Sequence, residues 1–160
     1  MAYGQTGSGK SFSMQEDPDH IGIIPRAIVH IFEEKEAKED RDTQFAIVIS
    51  YVEIYNEEIR DLLADDHSTK LEIKGNKGEV HGLTLHQCET IGHCARLLRS
   101  GIASRATSAT YMNEHSSRSH SVFTVYVTVQ YRDDVGIQET TGKLNLVDLA
   151  GSERHGKTGA

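Results

Sequence analysis

At 160 residues, 37% hydrophobic and 26% charged, with a formal net charge of −7, the chain has the length of one domain and the makeup of a globular one. The negative balance argues against general nucleic-acid binding, and no apolar run approaches the roughly 18 residues needed to span a bilayer. Cys88 and Cys94 alone make no disulfide framework and read as buried thiols in a reducing, intracellular setting.

Gly4 to Ser11 reads G-Q-T-G-S-G-K-S and fills every fixed position of the phosphate-loop pattern G-x-x-x-x-G-K-[ST]. Gly4, Gly7 and Gly9 permit turns that aim successive backbone N–H groups at an anion. Lys10 adds a point charge for β- and γ-phosphates, and the Ser11 hydroxyl suits Mg²⁺, a hard ion that prefers oxygen. A helix is expected to open from the loop through Phe12 and Met14. Such a loop ordinarily hangs from a buried strand, yet only Met1, Ala2 and Tyr3 precede Gly4, so that strand is expected to be missing.

A polar turn from Gln15 to Gly22 leads to a helix starting near Pro25, with Ala27, Ile28, Ile31 and Phe32 on one face and the charged run Glu33 to Asp42 as its solvated end. Phe45 to Tyr55 is apolar on both alternating faces, which predicts a central strand of a sheet covered by helices on both sides. Asn56 is expected to cap a short helix with Ile59, Leu62 and Leu63 as its stripe. Leu71–Lys74 and Glu79–Leu83, joined through Gly75-Asn76-Lys77-Gly78, predict a small hairpin. Thr90 caps a further predicted helix with Ile91, Cys94, Ala95, Leu98 and Ile102 on its buried side, and Ser104 to Ser119 is expected to be a long functional loop. Two strands follow, one alternating through Phe123, Val125, Val127, Val129 and Tyr131, the other running from Lys143 to Asp148.

Two further stretches carry chemistry: Asn113-Glu114-His115-Ser116-Ser117-Arg118-Ser119-His120 and Asp148-Leu149-Ala150-Gly151-Ser152-Glu153. A carboxylate closing an apolar strand, as Asp148 does, can hold Mg²⁺ through water, and Gly151 can offer its N–H to a γ-phosphate. Asn76-Lys77-Gly78-Glu79 has the look of a guanine-reading element but precedes the D-x-x-G strand instead of following it, which disfavours a GTPase. His86, Cys88, His93 and Cys94 fit no usual zinc spacing.

In this order, the three stretches resemble the P-loop, switch I (N-x-x-S-S-R-S-H) and switch II (D-L-A-G-S-E) of the kinesin motor family. The resemblance spans Ala2 to Ala160 and includes Tyr51-Val52-Glu53-Ile54-Tyr55-Asn56-Glu57. It implies a P-loop NTPase-type layered α/β/α core with a mixed central sheet, incomplete here: residues 1–160 would be a partial motor domain lacking the N-terminal strands, the C-terminal microtubule-binding helices and the neck linker. It implies ATP and Mg²⁺, with Gly4, Gln5, Thr6, Gly7, Ser8, Gly9, Lys10, Ser11 and, by position against the adenine, Phe12 holding nucleotide. Asn113, Ser116, Ser117, Arg118, Asp148, Gly151 and Glu153 would serve catalysis, with Ser11, Ser117 and, through water, Asp148 at the metal. Arg118 would close on Glu153 as a charge-assisted latch.

The resemblance further implies an ATPase that moves along microtubules in the full-length motor, a coiled-coil homodimer of the cytoplasm and cytoskeleton, with no direct nucleic-acid or membrane partner. Lys70, Lys74, Lys77, Arg154, His155 and Lys157 are what could still touch tubulin's acidic surface, although a Lys-rich hairpin is more often simply solvated. The alternative is a truncated, catalytically inactive fragment or a nucleotide-binding pseudo-motor, and the 160-residue chain by itself is expected to hydrolyse ATP negligibly.

Overall fold

The computed structural model describes residues 1–17, 19–66, 71–74, 79–111 and 115–153, less the side chains of 16, 17, 79, 107–111, 115 and 116. Its centre is β3 (Thr43–Tyr55), whose run of β-branched and aromatic residues favours extended backbone. β3 pairs antiparallel with β8 (His120–Arg132), and β8 with β9 (Ile137–Asp148). On the other side of β3 lie β4 (Glu58–Asp61) and β7 (His86–Gln87), completing a five-stranded sheet. Beyond these antiparallel ladders, Ala2 forms one parallel bridge to Asp148, donating to Val147 O at 2.8 Å and accepting from Leu149 N at 3.2 Å. The segment leading into the glycine loop thus runs beside the end of β9.

α1 (Lys10–Met14), α2 (Ile23–Lys38) and α3 (Ile91–Tyr111) bury Met14, Ile24, Ile28, Phe32, Cys94 and Leu98 in one core with Ile47, Ile49 and Tyr51 of β3. Phe123, Val125 and Leu146 carry the same sheet face across β8 and β9, and Tyr51 meets Phe123 edge-on at 5.4 Å. Both cysteines are free and buried. Thr90 Oγ1 accepts from His93 N at 3.1 Å, the N-cap expected of α3. Pro25 falls in the first turn of α2, where an N–H has no intrahelical partner to lose.

Among the described residues, the buried side chains of α1, α2 and α3 gather on that one face. The opposite face carries Ser50, Thr124, Lys143 and Asn145 and borders a groove of about 580 Å³ walled by the 80–85 segment. That segment begins within β6 (Glu79–His81), which pairs with β5 (Glu72–Lys74) as the expected hairpin; its turn lies outside the described residues.

Three local expectations are corrected. Asn56 caps no helix: Asn56 (φ 48°) and Glu57 (φ 65°) form the two-residue turn of the β3–β4 hairpin, with Tyr55 opposite Glu58 and Ile54 opposite Ile59. The three apolar residues that suggested a helical stripe are too few to separate the two periods. The polar turn after α1 contains a short ribbon of β1 (Glu16–Asp17) and β2 (His20–Ile21). The supposed long loop is mostly helix, since α3 continues to Tyr111 and α4 spans His115–Arg118. Neither Gly nor Pro occurs from Ile102 to Ser119, and Ala103, Arg105, Ala106 and Ala109 favour helix, so the Ser/Thr content misled.

Candidate nucleotide site

The site forms at one end of the β8–β9 hairpin. Register pairs Ser121 with Asp148, so the chain entering β8 and the chain leaving β9 emerge side by side. There Gly151 N donates to Ser117 O at 2.7 Å, and Ala150 N donates to His120 Nδ1 at 3.0 Å. The Ala2 bridge brings the glycine loop to the same place, where Ser152 N donates to Gly4 O at 3.1 Å. A pocket of about 270 Å³ is lined by Thr6, Gly7, Gly9, Lys10, Ser11 and Phe12 from the loop, by Ser117, and by Leu149 after β9. Three stretches, the second about a hundred residues after the first and the third about thirty after the second, therefore share one concavity.

Within the loop, Gly7 (φ +77°) and Gly9 (φ +84°) hold left-handed backbone that a Cβ would strain. Lys10 Nζ donates to Gly4 O and Gln5 O, both at 2.8 Å, and Ser8 N donates to Gln5 O at 3.2 Å. Ser11 Oγ donates to Asp148 Oδ2 at 2.6 Å, joining the first motif to the third.

Behind this contact lies a polar cluster that the sequence reading missed. Arg105, 5% exposed, donates from Nη1 to Asp148 Oδ2 at 3.0 Å and from Nη2 to Ser119 O at 3.1 Å and Ser119 Oγ at 3.3 Å. Its Nε lies 3.4 Å from Glu53 Oε1, which also accepts from Ser119 Oγ at 2.7 Å. One signal was available: Glu53 is a charge inside an apolar strand, and such residues are seldom fully buried unless paired. Asp148 Oδ1, by contrast, is buried without a hydrogen-bond partner among the described residues. An acceptor left so typically costs about 1–3 kcal/mol, which a bound ion or its water would offset. A carboxylate oxygen and a hydroxyl at this spot are hard oxygen donors, so the residues fit Mg²⁺.

The other expected site residues are placed as follows. Phe12 is 54% exposed and stacks on His20 at 4.4 Å and 14°, a partner the sequence did not suggest. Gly151 spends its N–H on Ser117 O, and a Cβ there would collide with the Glu153 carboxylate and Thr6 Oγ1. Glu153 does not pair with Arg118, which is exposed; it accepts from Thr6 N at 2.9 Å and from the Thr6 hydroxyl. Hydroxyl donation by Thr6 foremost, then backbone N–H donation, lowers the Glu153 carboxyl to about 2. Asn113, the side chain of Ser116, and Lys70, Lys77, Arg154, His155 and Lys157 lie outside the described residues.

A glycine loop closed by Lys-Ser, tied through its serine to an aspartate at a strand end, defines a P-loop NTPase-type chain. Residues 1–160 match the family model described as kinesin motor domain, and the chain belongs to that family. It is 47% identical over 165 residues to the kinesin-like protein klp-20 of Caenorhabditis elegans, an alignment covering 99% of this chain and 25% of that protein. The solved structure of a fast kinesin superposes with a TM-score of 0.87 at 40% identity, covering 100% of this chain and 46% of that one. The chain thus spans about a quarter and about half of these two relatives.

Proposed function

We propose that this chain is the ATP-binding and ATP-hydrolysing core of a microtubule-based motor. The observation that carries the proposal is the Ser11–Asp148 contact beside the glycine loop and Ser117, in a chain similar to a fast kinesin described through its ATPase mechanism and its interactions with microtubules. Gly4, Gln5, Thr6, Gly7, Ser8 and Gly9 cradle the triphosphate by backbone N–H groups, and Lys10 transfers its amine from the loop carbonyls to phosphate oxygens. Phe12 offers its exposed ring to the base. Ser11, Ser117 and, through water, Asp148 hold Mg²⁺, which when bound neutralises charge on the β- and γ-phosphate oxygens. Asn113 and Ser116 contact the γ-phosphate or the attacking water.

In the hydrolysis-competent arrangement, Gly151 turns its N–H from Ser117 O to the γ-phosphate and Glu153 leaves Thr6 for Arg118. Reaching it requires breaking the contacts seen here. Those same contacts favour the second reading, nucleotide binding by this chain without turnover. The motor acts as a homodimer on cytoskeletal microtubules in the cytoplasm.

Binding of a fluorescent ATP analogue by this chain tests the first step, and microtubule-stimulated phosphate release by the longer protein that contains it tests the second. Both are expected to be lost on Lys10→Ala. Binding that survives the substitution refutes the nucleotide assignment; binding without phosphate release leaves the second reading in place.

A further inference from the structure

We propose that Arg105 is a positioning residue for the nucleotide-associated cation, orienting Asp148 so that one carboxylate oxygen stays open, with Glu53 and Ser119 holding Arg105 in turn. The inference rests on the nucleotide reading above and adds Arg105 and Glu53, which none of the three motifs contains.

The geometry separates this role from simple gluing of α3 to the sheet. A guanidinium that serves only to bind a carboxylate uses its fork bidentately, one N–H on each oxygen. Arg105 divides its fork, with Nη1 on Asp148 Oδ2 at 3.0 Å and Nη2 on Ser119 O at 3.1 Å. Ser11 Oγ donates to the same Oδ2 at 2.6 Å. Two donors therefore converge on one oxygen, while Oδ1 has no hydrogen-bond partner among the described residues. The carboxylate is locked with one oxygen open, as a carboxylate awaiting a cation or its water should be.

Charge reinforces the geometry. Glu53 and Asp148, at 1% and 2% exposure, both face the guanidinium of Arg105, which is itself 5% exposed, and Arg60 Nη1 lies 4.0 Å from Glu53 Oε2. One guanidinium thus bridges the two buried carboxylates and fixes Asp148 relative to Glu53. Glu53 is held at 2.7 Å by the Ser119 hydroxyl, immediately before β8 and next to Arg118, so the cluster ties the support of Asp148 to the second motif.

The test compares affinity for a fluorescent ATP analogue in excess Mg²⁺ with affinity in excess EDTA, and reads the ratio of the two. In the unaltered chain Mg²⁺ strengthens binding. Arg105→Lys keeps a charge but loses the divided fork, and the ratio is expected to fall about tenfold, the lower end of the range for partners that orient metal ligands. Glu53→Gln keeps the shape and the acceptor for Ser119 but makes the cluster less negative, and the ratio is expected to fall with it. A merely structural defect weakens binding in both media and leaves the ratio intact. If Arg105→Lys does not fold, the near-isosteric Glu53→Gln carries the test by itself. Unchanged ratios, or an unaltered chain indifferent to Mg²⁺, overturn this inference alone. An unaltered chain that binds no nucleotide in either medium overturns the nucleotide reading and this inference together.

Discussion

Two glycines on the same helix are predicted to respond to alanine in opposite directions. Gly→Ala in a helix interior ordinarily stabilises by about 1 kcal/mol, because glycine loses more backbone freedom on folding. Gly92 is the second residue of α3 and a Cβ there would meet nothing within 4 Å, so a smaller part of that gain should appear, about 0.5 kcal/mol. At Gly101 a Cβ would overlap Tyr51 Cδ1 and sit 3.0 Å from Cε1 and 3.2 Å from Leu63 Cδ2. Tyr51 cannot give way, being 0% exposed and edge-on against Phe123, also 0% exposed. Overpacking of this kind costs about 1–3 kcal/mol, and the rigid ring puts Gly101 near the top of that range. After the helical gain, a net loss of about 1–2 kcal/mol remains. For a chain of this size each kcal/mol moves Tm by about 2–4 °C, so Gly101→Ala should melt roughly 2–8 °C lower and Gly92→Ala about 1–2 °C higher. Thermal unfolding followed by circular dichroism, checked by urea midpoints at constant slope, reads both. If the two variants shift in the same direction, the close seating of α3 on Tyr51 is refuted.

Other outcomes follow from single contacts. Glu57→Gly should stabilise by about 0.5–1 kcal/mol, since Gly relieves left-handed strain of about 1–2 kcal/mol at φ 65° and gives part of it back as unfolded-chain entropy; a lower urea midpoint would contradict the turn assignment. Ser119→Ala removes a buried 2.7 Å donation to a carboxylate and should lower stability by about 1.5–3 kcal/mol, a loss expected to shrink in the Glu53→Gln background. Glu153 is depressed from 4.5 to about 2, so what the Thr6 contact contributes is fully present above pH 4.5 and is lost as pH falls toward 2. A carboxyl NMR titration should show that low midpoint, and one near 4.5 would mean the contact is absent in solution. Gly151→Ala should return the Glu153 midpoint toward 4.5, because the new Cβ displaces the Glu153 and Thr6 side-chain ends and leaves the backbone in place.

How much was readable from the sequence depended on the distance over which each signal acts. The glycine loop, β3, the alternating strand β8 and the Thr90 cap are written in contiguous residues, and each is found where its pattern lies. Asn56-Glu57 failed because a left-handed pair without Gly gives no local notice; cross-strand pairing to Glu58–Asp61 decides it. Ser104 to Ser119 failed because Ser and Thr are neutral in helices and the packing of Arg105 against Glu53 and Asp148 is non-local. For the same reason the three motifs were legible while the side chains supporting them were not: a motif is a run of residues, and a supporting shell is assembled across the fold.

The long β8–β9 ladder explains why such distant motifs meet at all. Its register runs from Arg132 opposite Ile137 at the turn to Ser121 opposite Asp148 at the open end. At the turn, Asp133 Oδ1 accepts from Val135 N at 2.9 Å and Gly136 N at 3.0 Å, closing the loop at fixed length. A slip of one residue along this ladder would turn Asp148 to the other sheet face, away from Ser11 and Arg105. The position of Asp148 is therefore set by a hairpin whose turn lies at the far end of the sheet, and only the segments beyond Ser119 and Asp148 can rearrange without unzipping it. Those segments already bond to each other through Gly151 and Ser117, and to the glycine loop through Ser152 and Gly4. A displacement of any one of the three must break or carry a backbone hydrogen bond to another, so they are mechanically coupled before any latch between Arg118 and Glu153 forms.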